Sequence, residues 1–272
     1  ETGRPQDGRT SFGRISSPTV RRLVIKMLFS SSHFLFVFLP LTVMIVALAG
    51  HFMGRSAALI SLIVASLVFY GWWNPPYLLL IGVSIGINFA LGLALMQKRS
   101  KAILALAIIF NLGLLGYYKY AEFFTSIAND LFNVQIDTGN ILLPLAISFF
   151  TFQQIAYQVD VYEGKIRDKN FARYSLFVCF FPQLIAGPIV HHREVTPQFE
   201  NDSAFRLTTA NVLAGSILFV IGLFKKVVIA DGLDPYADAL FNNALTQPTL
   251  IDAWAGTFAY GFQIYFDFSA YT

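Results

Sequence analysis

The side chains best suited to chemistry are concentrated between Leu142 and Phe199. Two apolar runs in this stretch carry Gln153, Gln154, Gln158 and Asp160 in the first and Gln183 in the second. The second run then leads into His191-His192-Arg193-Glu194. An amide or carboxylate in hydrocarbon is costly unless it is paired or faces a wet cavity, so this stretch is expected to line something. Imidazoles exchange protons near neutral pH. His191 and His192 nonetheless read first as polar groups at a helix end or a funnel rim, with a lining or positioning role. Arg193 and Glu194 read as a local pair, with contact to a donor phosphate as the alternative for Arg193. Gln154 and Gln158 are four apart and share a helix face. For Gln153 and Gln154, cavity lining and interhelical hydrogen bonding are equally open, whereas Gln158 and Asp160 are expected near the interface. Lys225 and Lys226 are expected to snorkel to the cytoplasmic surface, with contact to an acidic carrier or a donor phosphate as the alternative. Asp267, between Phe266 and Phe268, is a charge near a membrane end or beside the path of a substrate. No Cys/His spacing suits a metal, and Cys179 reads as a small core residue.

The elements that must hold these groups are membrane helices. Hydrophobic residues make up 56% of the chain and charged residues 13%, far below the quarter or so typical of soluble domains. A net charge of +3 spread over short loops gives no footing for nucleic acid. The expected fold is all-α and polytopic, with about eight spans near 34–50, 57–73, 77–96, 102–118, 141–159, 172–190, 210–229 and 251–268. Period-two alternation is absent, so a barrel is not indicated. Residues 119–140 read as an amphipathic helix lying in the interface.

Loop charge orients the spans. Arg55, then Lys98, Arg99 and Lys101, then Lys165, Arg167, Lys169 and Arg173 follow the first, third and fifth spans, so one face is basic and is expected to be cytoplasmic. A broken or re-entrant segment near Pro182 or Gly187 would invert everything after it. Residues 1–26 are expected to be disordered or a non-native extension, and residues 27–272 to be the N-terminal part of a single membrane domain.

Four blocks carry a resemblance: LLPLAISFFTFQQIAYQVDVYEG, FPQLIAGPIVHHREVTPQF, GLFKKVVIADGLDPYAD and YGFQIYFDFSAYT. In this order they resemble the membrane-bound O-acyltransferase family, most closely its alginate O-acetyltransferase branch. MLFSSSHFLFVFLPL, YGWWNPPYLLL and GYYKYAEFF look like the same branch. The resemblance implies helices around a central funnel or tunnel in a bacterial inner membrane. It implies no bound cofactor, with acetyl-CoA or an acyl carrier as donor. It also implies a periplasmic acetyltransferase partner and a polysaccharide acceptor such as alginate. D-alanyl transfer to teichoic acids is the related alternative, and a transporter or non-catalytic scaffold the unrelated one, although a transporter has no reason to carry all four blocks. The family's histidine signature follows the FDFSAYT block, beyond Thr272. The present chain is therefore expected to be truncated, to insert in the membrane and to lack activity by itself.

Overall fold

The computed structural model describes residues 29–132, 134, 142–184, 187, 191–200, 205, 207–242 and 248–271. The expectation for residues 1–26 therefore lies outside the described residues. Every long element among the described residues is a helix: α1 (Phe34–Phe52), α2 (Arg55–Trp73), α3 (Tyr77–Gln97), α4 (Lys101–Phe132), α5 (Ile147–Tyr162), α6 (Phe171–Cys179), α7 (Phe181–Leu184), α8 (His192–Glu200), α9 (Thr209–Phe241) and α10 (Leu250–Tyr271). α1 opens with a π-helical turn at Phe34–Phe38, and α9 contains a second at Lys225–Ala230.

Five of these helices, α1 to α4 and α9, are long and apolar enough to cross a membrane. The protein is thus a multi-pass membrane protein, but the expected set of eight spans needs correction. α5 has only 16 residues, yet its neighbours place its two ends at opposite ends of the bundle. Tyr70 donates to the Leu145 carbonyl (3.1 Å) and Tyr77 to the Leu142 carbonyl just before it, while Arg99 packs at Gly164 just after it. α5 closes with a Schellman motif: Lys165 N–H donates to the Asp160 carbonyl (2.9 Å) and Gly164 N–H to that of Val161 (3.0 Å). Gly164 takes φ +77, the left-handed region this cap requires. α10 is long enough but not apolar enough to count among the five.

The expected span at 172–190 is replaced by a re-entrant segment. The nine residues of α6 rise only about 13 Å, against a hydrocarbon core of about 30 Å. The helix breaks at Phe180 (φ −55, ψ 106), and α7 adds four residues. Ser66 Oγ accepts from the freed Phe181 N–H (3.3 Å) and itself donates to the Leu62 carbonyl (2.8 Å), which fixes the break against α2. The Phe181 ring then enters an aromatic cluster with Phe34, Phe38 and Phe69. On the far side of the break the chain is back where it started: Phe199 of α8 lines one pocket with Arg55, Asn170 and Arg173. That pocket, and a second joining Arg99 to Gly164, Arg167 and Lys169, put all three basic loops on one face, as their charge implied.

Two further boundaries differ from expectation. The proposed interfacial helix at 119–140 is not separate, because α4 runs unbroken to Phe132. The span expected to end at residue 229 continues to Phe241, because the π turn absorbs the polar Lys225-Lys226 step without ending the helix. α9 starts beside the basic face, where Leu207 and Thr208 share a pocket with His51, Gly54 and Arg55. It then folds against α10 as an antiparallel hairpin, with Leu240 against Gly256 and Lys225 against Ser269.

Candidate functional site

Three polar clusters form where the sequence placed its chemistry. The first is a ladder inside the bundle. Gln154 and Gln158 are fully buried, and Gln153 is 5% exposed. Gln153 Nε2 donates to the Phe177 carbonyl (2.8 Å). Gln154 Nε2 donates to Ser84 Oγ (3.0 Å), and Gln154 Oε1 accepts from the Tyr174 hydroxyl (3.2 Å). Gln158 Nε2 reaches the Asn88 carbonyl (2.6 Å), and Asn88 and Asn111 exchange side-chain hydrogen bonds at 3.2 and 2.6 Å. The interhelical reading therefore describes Gln153 and Gln154. Gln158 is not at the interface as expected; it sits in the same ladder because the face it shares with Gln154 meets α3. Ser84, Asn111 and Tyr174 were not singled out in the sequence. The spacing of Ser84 and Asn88, four apart like Gln154 and Gln158, was the signal that matched them.

The second cluster surrounds the histidines, which face different ways. His191 is half-exposed, and its Nδ1 lies 3.1 Å from Asp160 Oδ2. Against a carboxylate the ring nitrogen must be the donor. Asp160 is 5% exposed, and Lys165 approaches its other oxygen at 3.7 Å. It is buried within the last turn of α5, beside the basic face. His192 is buried between the rings of Tyr157 and Phe177, at centroid distances of 5.3 and 5.0 Å. Burial pushes its pKa down from 6.5 to about 4, so the ring is neutral at physiological pH. Among the described residues Arg193 shows no ion pair with Glu194, since consecutive helical residues do not face each other.

The third cluster unites two sets of residues that the sequence kept apart. Lys226 Nζ lies 2.6 Å from Asp267 Oδ1 and 2.9 Å from Asp231 Oδ1, and its side chain is 20% exposed. Lys225 Nζ donates to Ser269 Oγ (2.9 Å). Neither lysine is at a helix end, so snorkelling to the cytoplasmic surface is corrected: both are held inside the hairpin by acceptors on α9 and α10. Asp231 went unnoticed because residues five apart diverge on an α-helix. The π turn bonds Asp231 N–H to the Lys226 carbonyl, five residues back, and brings the side chains together.

Lys226 also forms part of the wall of an apolar cavity of about 220 Å³. Phe34, the re-entrant tip residues Phe181 and Pro182, Leu223 and Tyr271 line the rest. The arrangement is an apolar pocket bounded by one cation that two carboxylates hold in place. Among the described residues no His/Cys/Asp/Glu group could hold a metal ion.

The model of the membrane-bound O-acyltransferase family matches residues 162–272, which include the re-entrant segment and the third cluster. The peptidoglycan O-acetyltransferase of Helicobacter pylori is 40% identical over 91% of this chain and 53% of its own length. The probable alginate O-acetylase AlgI of Pseudomonas aeruginosa is 39% identical over 90% of this chain and 48% of its own. The chain belongs to the membrane-bound O-acyltransferase family. It spans about half the length of these relatives. A teichoic acid D-alanyltransferase of Lacticaseibacillus rhamnosus is more distant, at 29% identity over 34% of the chain. No solved structure matches. Within the chain the polar ladder lies almost wholly before the family match, and the cavity wall at Lys226 and Tyr271 lies inside it.

Proposed function

We propose that the whole protein passes an acyl group, in the first instance acetyl, across the cytoplasmic membrane for O-acetylation of a cell-surface polysaccharide. Agreement over nine-tenths of the chain with two relatives named for polysaccharide O-acetylation carries this reading. The donor is a thioester, acetyl-CoA or an acylated carrier, and a periplasmic acetyltransferase partner delivers the group to the polymer. In the transfer, a hydroxyl oxygen attacks the thioester carbonyl, its proton goes to a base, and the thiolate leaves. The step needs a base and stabilisation of the oxyanion. Lys226, Asp267 and Asp231 serve as a positioning device in this scheme. Their ion pairs fix the hairpin wall opposite the re-entrant tip, and so hold the cavity open for the acyl group.

The higher-identity relative is named for peptidoglycan and the other for alginate, so the polymer is decided by experiment. Base-labile acetate and D-alanine are measured on peptidoglycan and exopolysaccharide from a gene deletion and from strains complemented with wild-type or Asp267→Asn protein. The deletion is expected to lose acetate from one polymer, with wild type restoring it. Asp267→Asn is expected to restore about a tenth of that acetate, equivalent to about 1.4 kcal/mol, at equal membrane abundance. Unchanged acetate in the deletion overturns the proposal, and loss of D-alanine instead moves the protein to the teichoic acid branch.

A further inference from the structure

On the basic face, the ends of α3 and α5 and the loop after α5 enclose a polar pocket of about 330 Å³. Arg99, Arg167 and Lys169 line it with Met96, Val161, Gly164 and Ile166, and no carboxylate is among the lining residues. The neighbouring charges are already matched. Lys165 pairs with Glu163 and Asp160, and Asp168 turns to Arg173 at 3.0 Å. Arg99, Arg167 and Lys169 have no such partner among the described residues. Three unneutralised cations around one concavity repel each other and raise the local potential for an anion.

The positive-inside bias accounts for basic residues in these loops, but not for their convergence. Arg99 is seated by a specific device. A Cβ built on Gly164 would stand 1.9 Å from its Nη2 and 2.6 Å from its Cζ, so the guanidinium end packs directly against the bare Gly164 backbone. The same glycine ends α5, which ties the position of Arg99 to the helix cap.

We infer that this pocket binds a phosphate group. A guanidinium offers a planar fork of donors to phosphate oxygens, and two further cations complete the neutralisation. Gln97 ends α3 and Lys101 starts α4, so the pocket opens at the level where phospholipid headgroups lie. An anionic phospholipid is one source of the phosphate, and a soluble phosphate-bearing molecule is the other. The site is separate from the acyl cavity, which is lined by Phe181, Lys226 and Tyr271.

The test uses full-length protein in nanodiscs of mixed phosphatidylglycerol and phosphatidylcholine, with bound lipid counted by native mass spectrometry. Coenzyme A is the soluble probe, added in a second arm. Arg99→Gln/Arg167→Gln is compared with Lys98→Gln/Lys101→Gln, which removes the same charge from the same face but outside the pocket lining. The wild type is expected to retain phosphatidylglycerol or to bind coenzyme A. The pocket variant is expected to lose that binding by at least about tenfold, from roughly fivefold per cation, while the control stays within about twofold. Displacement of lipid by coenzyme A assigns the phosphate to a soluble molecule, and retention assigns it to the headgroup. Equal loss in the control, or no binding of either probe, overturns the site. Unchanged acetate in the deletion strain, which overturns the proposed transfer, leaves this result untouched.

Discussion

At the scale of the residue, the ladder shows how polar groups are accommodated at membrane depth. Asn88 is its hub, since its side chain bonds Asn111 and its backbone carbonyl accepts from Gln158. Asn88→Ala removes the donor to Asn111 Oδ1, while Asn111 Nδ2 keeps the Ala107 carbonyl, so unfolding in detergent is expected to become easier by about 1–2 kcal/mol. Asn88→Ala/Asn111→Ala is expected to cost less than the sum of the single changes, and strict additivity would mean that the pair does not interact. His192 gives a pH signature. The folded protein keeps this ring neutral down to about pH 4, whereas the unfolded chain takes up the proton near 6.5. Between these values the unfolded state binds more protons, so stability rises with pH across the window and levels off above it. In thermal scans from pH 4 to 7, His192→Leu is expected to show a flatter profile than wild type. Parallel profiles would place the histidine in water.

At the scale of the element, the re-entrant segment decides which side each later loop occupies. Hydropathy made 172–190 look like a crossing because a window average registers apolarity and is blind to a break in the backbone. The break at Phe180 depends on Ser66, more than a hundred residues earlier in the chain, and no local pattern reports that partner. Pro182 and Gly187 hinted at it without locating it. Single cysteines at Lys169 and Gln198, in a Cys179→Ala background, are expected to react with an impermeant maleimide from the same side of the membrane. Labelling from opposite sides would restore a full crossing.

At the scale of the whole molecule, α1 to α3 were legible to within two residues at each end and α4 at its start, because length and apolarity suffice where a helix simply spans. The common face of the basic loops was legible for the same reason. The three clusters were not, since each depends on residues brought together from distant helices. Gln154 needed Ser84 and Tyr174, and Lys226 needed a π turn to gain Asp231. The family blocks pointed to the correct regions because they span the re-entrant tip and the hairpin. They did not show that Lys226 and Asp267 form one ion-paired group.

The reciprocal Asn88–Asn111 pair also has a consequence for how the protein is made. Both asparagines sit in helices joined by a three-residue turn, Lys98 to Ser100, so they leave the ribosome as one hairpin. Their amides already satisfy each other before α5 is synthesised. That hairpin can enter lipid with its deepest polar groups matched, and it offers the Asn88 carbonyl as the point on which Gln158 later docks. The order of synthesis and the order of hydrogen bonding thus coincide.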